Sequence, residues 1–156
     1  MLEDGSVYEG TARGDFKETA CEIVFNTSMT GYVEILTDPS YAGQGVVMTY
    51  PMIGNYGISR EDFESERLQP SAFIVHELSS DPSNFRCTDT IENLLKEYNI
   101  PCISGVDTRA VVKKLRESGT MRGVLTSDIG DRERLMDVIK SFRQIDLVGS
   151  VTAKQT

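Results

Sequence analysis

The chain has 156 residues, of which 39% are hydrophobic and 26% charged, the length and composition of a globular domain with its own core. Its net charge of -8 argues against a nucleic-acid-binding protein, because neutralising phosphates requires a basic surface. No apolar run reaches roughly 18 residues and the three cysteines (Cys21, Cys87 and Cys102) lack a CxxC spacing, so we expect a cytoplasmic protein with reduced thiols and no membrane span, disulfide framework or zinc site.

The first half of the chain is predicted to be rich in β-strands. Alternating or compact apolar segments, bounded by glycine or proline, predict strands over 6–14, 21–28, 45–51 and 71–79. Between the second and third of these, YVEILT predicts a short helix, and DPSY (38–41) predicts a type I turn with Pro39 at its second position. In this turn we expect Asp38 to accept backbone hydrogen bonds and Ser40 to point outward.

The second half alternates between helix and strand. Apolar residues at helical spacing predict helices over 91–99, 109–119 and 131–142, and short apolar runs predict strands over 102–106 and 121–127. Asp89 or Thr90 can cap the first helix, Asp107 or Thr108 the second, and Gly119 suits the end of the second. We therefore predict an α/β fold with a mixed sheet and packed helices.

A basic cluster extends from Arg109 to Arg122, most of it on the predicted helix after Asp107. Its cations are interleaved with apolar residues at helical spacing. This pattern is typical of a solvated helix face, and the alternative is a docking surface for an acidic partner.

Candidate catalytic groups are few. His76 is the only histidine, and at strand period it would share a face with Ile74 and Leu78, which favours a core or edge histidine over a catalytic base. No cysteine lies beside a histidine or in a nucleophile-elbow pattern. The glycines around Asn55 and Tyr56 predict a tight turn, either a plain surface turn or an anion site. No metal-ligand spacing is visible.

The most distinctive stretch is FNTSMTGYVEILTDPSYAG, residues 25–43. It is rich in hydroxyl groups, from Thr27, Ser28, Thr30, Thr37 and Ser40. A hydroxyl nucleophile needs an activating base, and this stretch offers none. We therefore interpret it as a loop that holds a small amide or carboxylate rather than attacking it.

Four segments resemble one family: EIVFNTSMTGYVEILTDPSYAGQ (22–44), TYPMIGNYG (49–57), SNFR (83–86) and GVDTRAVVKKLRESGTMRG (105–123). Together they are similar to the N-terminal domain of the small, glutamine-hydrolysing subunit of carbamoyl phosphate synthase, in the bacterial form where this subunit is a separate polypeptide. The resemblance implies a fold of the swivelling β/β/α type over residues 1–145. Residues 146–156 would then be a linker toward a class I glutamine amidotransferase domain.

The resemblance also implies a place in a larger enzyme. In the family, the amidotransferase domain hydrolyses L-glutamine with a Cys-His-Glu triad, and ammonia passes through a tunnel to the large subunit. The large subunit uses bicarbonate and ATP, with Mg, to make carbamoyl phosphate for arginine and pyrimidine biosynthesis. The N-terminal domain carries much of the contact between the two subunits of this heterodimer.

The resemblance assigns Ser40 to the glutamine site, and Asp38 and Ser28 to the ammonia route or the subunit interface. It assigns no catalytic residue, metal ligand or cofactor to this chain, in which the elbow cysteine and the His-x-Glu are missing. We therefore expect a non-catalytic piece that ends near a domain boundary. The alternative is a free-standing module that binds a small ligand or an anion at the turn around Asn55.

Overall fold

The computed structural model describes residues 1–14, 16–28, 31–53, 60–79 and 90–142. Within these ranges the strands are β1 (Thr11–Arg13), β2 (Thr19–Asn26), β3 (Gln44–Met48), β4 (Met52–Ile53), β5 (Ala72–Ile74), β6 (Glu77–Leu78), β7 (Cys102–Ser104) and β8 (Met121–Leu125). The α-helices are α1 (Tyr32–Thr37), α2 (Ile91–Glu97), α3 (Thr108–Ser118) and α4 (Arg132–Ser141). Short 3-10 turns occupy Pro39–Tyr41 and Arg60–Asp62.

Six strands form one mixed sheet in the order β1-β7-β5-β3-β2-β8. The central strands β7, β5, β3 and β2 run parallel, whereas β1 and β8 pair antiparallel at the two edges. A separate parallel pair consists of β4 and β6. Parallel neighbours need a crossover connection, and α1 with the 3-10 turn after it supplies the one between β2 and β3. The predicted α/β fold, with a mixed sheet and packed helices, is confirmed.

Both faces of the main sheet are covered by helices. One face packs against α1 and α2, in a cluster that includes Leu36, Val46, Phe73 and Leu94. The opposite face packs against α3, in a cluster that includes Ile23, Val47, Ile74 and Leu115. A smaller cluster joins α4 to β8 through Val124, Leu135 and Ile139. Successive side chains of a strand point to opposite faces of the sheet, so the apolar residues of these strands are divided between the two cores.

The centre of the sheet has no room for a side chain at Gly45. A Cβ added at this position would lie 2.7 Å from Cys21 Sγ and 2.8 Å from Ile23 Cδ1. Both β2 side chains are buried, with 0% and 2% of their surface exposed. These side chains occupy the space next to Gly45 on one face of the sheet. The observed register between β2 and β3 therefore requires glycine at position 45.

The strand predicted over 6–14 is too long. Pairing with β7 begins only at Thr11, opposite Ser104. Just before it, the chain passes so close to β7 that a Cβ at Gly10 would lie 2.5 Å from the Ser104 carbonyl oxygen. Gly10 therefore packs against β7, and residues 6–10 lie outside its hydrogen-bond ladder.

The strand predicted over 71–79 is divided between two sheets. The main sheet holds β5, and the small pair holds β6. Between them the His76 carbonyl accepts a hydrogen bond from Gly105 N at 2.7 Å, and the chain bends there. As a result Ile74 and Leu78 belong to opposite clusters, and the prediction that His76 shares one face with both is wrong.

A surface ion pair fastens α4 to the start of β2. Arg134 donates from Nη1 and Nη2 to the two Glu18 carboxylate oxygens, at 3.0 and 2.8 Å, and the Thr126 hydroxyl donates to the same carboxylate at 2.9 Å. The hydrogen bond from Arg134, followed by that from Thr126, lowers the pKa of Glu18 to about 2. The side chains are 47% (Arg134) and 35% (Glu18) exposed, so water screens part of this attraction.

We expect Glu18→Gln to destabilise the fold at pH 7, because the amide loses the ionic hydrogen bonds. The folded-state pKa lies below the ordinary 4.5, so the carboxylate stabilises the fold above that value and the effect is lost as the pH falls toward about 2. Urea unfolding at pH 7 and near pH 3 should therefore show a gap between wild type and variant that shrinks on acidification. The control is Glu117→Gln on the exposed surface of α3. A gap for Glu18→Gln that does not change with pH would contradict the ionic explanation.

Candidate functional site

The hydroxyl-rich stretch ends in a capped turn between α1 and β3. Asp38 accepts a hydrogen bond from the backbone N of Ser40 at 2.9 Å and caps the 3-10 turn Pro39–Tyr41. Proline at the first position of this turn is already restricted to the required φ. Gly43, with a φ of 74°, then directs the chain into β3, a conformation that glycine adopts without strain. Ser40 is exposed at the surface of the turn, as its sequence signature predicts.

A hydrogen bond ties this turn to the carboxyl end of β2. Asn26, the last residue of β2, donates from Nδ2 to the Tyr41 hydroxyl at 2.8 Å. Its Oδ1 accepts a hydrogen bond from the backbone N of Ser28, also at 2.8 Å, and Ser28 is exposed. Asn26 therefore connects the Ser28 segment with the turn that carries Asp38 and Ser40. Asn26 and Ser28 lie at the carboxyl end of β2, the edge at which ligands of open α/β sheets characteristically bind, whereas the turn that carries Ser40 leads into the amino end of β3.

Neither Asn26 nor Tyr41 is predicted as a site residue from the sequence. Their contact joins positions 15 residues apart, across the whole crossover, so no local pattern specifies it. The signal that was available is the asparagine two residues before Ser28, a spacing typical of an Asx turn at the end of a strand.

The described residues offer no activated thiol. Burial raises the pKa of Cys21 and of Cys102 to about 12, and both side chains are fully buried. His76 is exposed, and its Nδ1–H donates to the Val106 carbonyl at 3.1 Å. That contact suits an edge histidine. The arrangement around Ser40 can hold a polar ligand, and it lacks the paired base that a nucleophilic hydroxyl requires.

Some predicted features lie outside the described residues: Thr30, the turn at 54–57, the SNFR segment at 83–86, Cys87 and residues 146–156. Across the described ranges, no group of three or more His, Cys, Asp or Glu side chains is arranged to hold a metal ion. Over the same ranges, every helix is too short or too polar to cross a bilayer.

Most of the predicted basic cluster lies on α3, whereas Arg122 lies on β8 and pairs with Glu3 at 3.4 Å. The cations of α3 have different surroundings. Lys114 pairs with Asp4 at 3.1 Å, and that contact raises the pKa of Lys114. The Arg116 guanidinium lies 5.5 Å from the centre of the Phe25 ring, within the range of a cation–π contact. Two further cations of this helix are exposed: Arg109 and Lys113. These two are the strongest candidates for contact with a partner.

Residues 1–125 match the family model described as "Carbamoyl-phosphate synthase small chain, CPSase domain". Three curated proteins named carbamoyl phosphate synthase small chain illustrate the similarity. The one from Fusobacterium nucleatum is 54% identical over 155 residues, covering 99% of this chain and 43% of the relative. The one from Archaeoglobus fulgidus is 50% identical over 159 residues, covering 99% and 44%. The one from Caldanaerobacter subterraneus is 49% identical over 154 residues, covering 99% and 41%.

The chain thus spans less than half the length of these relatives. The matched region contains the whole six-stranded sheet and the crossover that carries Ser28, Asp38 and Ser40. Because the family model covers most of the sequence, the resemblance inferred from the four segments is confirmed: the chain belongs to the family of carbamoyl phosphate synthase small chains.

Proposed function

We propose that this chain is the non-catalytic N-terminal domain of the small subunit of a glutamine-hydrolysing carbamoyl phosphate synthase. In this role it contacts the large subunit, which carries the ATP and Mg chemistry. It also completes the glutamine site of the amidotransferase domain that follows it in the same polypeptide. The assembled enzyme would convert glutamine, bicarbonate and ATP into carbamoyl phosphate in the cytoplasm.

The observation that carries this proposal is the exposed Ser40 on a rigid turn, in a chain that belongs to the family. Asp38 holds the backbone of Ser40, and Tyr41 is held by Asn26, so the turn is fixed on both sides of Ser40. The Ser40 hydroxyl has no hydrogen-bond partner among the described residues. A free hydroxyl on a backbone held in this way is available to bind a polar group of a substrate presented by a neighbouring domain.

Asp38 and Ser28 are proposed to line the ammonia route or the subunit interface. Both belong to the hydrogen-bonded unit around Asn26 and the 3-10 turn. Their oxygen atoms are acceptors, and ammonia is a donor of three hydrogen bonds. The chemistry of these residues therefore suits the passage of a neutral, hydrogen-bonding molecule from a glutamine site nearby.

We expect Ser40→Ala in the complete small chain to raise the KM for glutamine. Loss of one substrate hydrogen bond costs about 1–2 kcal/mol, which corresponds to roughly a five- to thirtyfold higher KM. The kcat of glutamine hydrolysis should stay within about twofold, because binding that is equal in ground and transition states affects KM alone. Steady-state glutaminase kinetics of the assembled enzyme measure both constants. Ser127→Ala, an exposed serine after β8, is the matched control, and an unchanged KM in Ser40→Ala would refute the role in glutamine binding.

We expect charge reversal of the exposed pair, Arg109→Glu with Lys113→Glu, to slow association with the large subunit. If α3 is a docking face, removing its positive charge should lower the association rate roughly three- to tenfold at low salt, with a smaller effect at high salt. Arg116 is left unchanged because of its contact with Phe25. Surface plasmon resonance measures the rates. The control variant reverses Arg132 and Lys140, two exposed cations on α4, and equal rates in both variants would exclude α3 as the docking face.

A further inference from the structure

Residues 64–69 contact both ends of the turn that carries Ser40. This segment lies after the 3-10 turn at Arg60–Asp62, far from the site in sequence. One end of it is bonded to Thr37, which directly precedes the turn, and the other end is bonded to Gly43, which follows it. We refer to residues 64–69 as the clasp.

At the first end, the clasp binds the last turn of α1. The side chain of Thr37 is 0% exposed. Its hydroxyl donates to the Val33 carbonyl at 2.8 Å and accepts a hydrogen bond from the backbone N of Glu64 at 2.8 Å. The Thr37 carbonyl accepts a hydrogen bond from Ser65 Oγ at 2.5 Å. Both polar groups of the residue before the turn are therefore held by the clasp.

At the second end, Gln69 bonds through its backbone. Its N–H donates to the Leu36 carbonyl at 2.8 Å, and its carbonyl accepts a hydrogen bond from Gly43 N at 3.3 Å. The clasp thus bridges the C-terminal turn of α1 and the residue that leads into β3. The turn carrying Ser40 lies between these two anchoring points, so its position relative to the sheet depends on the clasp.

Within the clasp, the side chains of Ser65 and Gln69 are hydrogen-bonded to each other. The Ser65 hydroxyl has two carbonyl acceptors, Thr37 O at 2.5 Å and Arg67 O at 2.9 Å. Its single hydrogen is therefore used, and the oxygen can only accept from a third group. Gln69 Nε2 supplies that donor at 3.0 Å. The Ser65 hydroxyl therefore accepts from Gln69 and shares its one hydrogen between two carbonyls, of which Thr37 O is the nearer.

The side chain of Gln69 contains a polar atom whose burial lowers the stability of the fold. Its Oε1 is buried and has no hydrogen-bond partner within the described residues. Burial of an amide oxygen without a partner opposes folding. What this amide supplies is its Nε2 contact with Ser65, which occupies the serine oxygen as an acceptor and leaves its hydrogen for the carbonyls of Thr37 and Arg67.

We propose that Ser65 and Gln69 are positioning residues for Ser40: they hold the Ser40 turn at the orientation in which its hydroxyl meets glutamine. This inference rests on the proposed role of Ser40 in the glutamine site. Neither residue needs to touch the substrate, because both act through the backbone at Thr37 and Gly43.

The test uses the complete small chain assembled with its large subunit. Ser65→Ala should raise the KM for glutamine roughly three- to tenfold, the effect of one lost hydrogen bond, with kcat little changed. Ser65→Thr retains the hydroxyl and should restore a KM within about twofold of wild type. Ile139→Ala, which removes a buried side chain on α4, should lower stability without raising the KM. An unchanged KM in Ser65→Ala, or an equal rise in Ile139→Ala, would overturn the proposal.

A double variant shows whether Ser65 acts through Ser40. In the Ser40→Ala background, Ser65→Ala should raise the KM by less than about twofold further, because the group that it positions is gone. Equal fold-changes in both backgrounds would overturn the proposal, since they would mean that the two residues act independently.

A spin label separates failure of this inference from failure of the proposed function. A label attached at Ser40→Cys in the complete small chain, with Cys87 and the triad cysteine of the amidotransferase domain replaced by serine in every variant, reports the mobility of the turn. Cys21 and Cys102 are buried, so they do not compete for the label. Ser65→Ala and Gln69→Met should each make the label more mobile, whatever the role of glutamine. Unchanged mobility would overturn the inference, whereas a mobile label with a normal KM in Ser40→Ala would instead refute the proposed function.

Discussion

The parallel pairing of β2 with β3 is the constraint on which the site depends. The register sets Asn26, the last residue of β2, opposite Met48, and the close contact of Gly45 with β2 permits no side chain on β3 at that position. Because the two strands are parallel, the chain must return along the sheet between them. The return segment is α1 and its capped turn, so the pairing determines at which edge Ser40 is displayed.

The parts of the fold that could be predicted are those specified by residues that lie close together in the sequence. Helical spacing and the cap at Asp107 predict α3, and the DPSY signature predicts the turn at Ser40. The parts that could not be predicted depend on contacts between distant segments. The bend at His76 accompanies its hydrogen bond from Gly105, the residue that follows β7. The apolar run around His76 does not specify this bend. The bond between Asn26 and Tyr41, like the clasp, joins segments that no pattern connects.

The described residues present an exposed hydroxyl rather than an activated thiol. The thiols of Cys21 and Cys102 are buried within the cores, and burial raises their pKa to about 12. Ser40 is exposed, and the backbone of its turn is hydrogen-bonded before any ligand arrives. A backbone that is ordered in advance loses little entropy on binding. The named relatives are more than twice as long as this chain, and the proposed function gives this domain a binding contact and another domain the nucleophile.

The proposed role of Ser40 in completing a glutamine site on a neighbouring domain is tested most directly by a crystal structure of the complete small chain with a non-hydrolysable glutamine analogue bound. The quantity to measure is the distance from Ser40 Oγ to the nearest polar atom of the analogue. If Ser40 binds glutamine, the two atoms form a hydrogen bond, at about 2.6–3.2 Å. An analogue bound elsewhere, with Ser40 facing solvent or the large subunit, would contradict it.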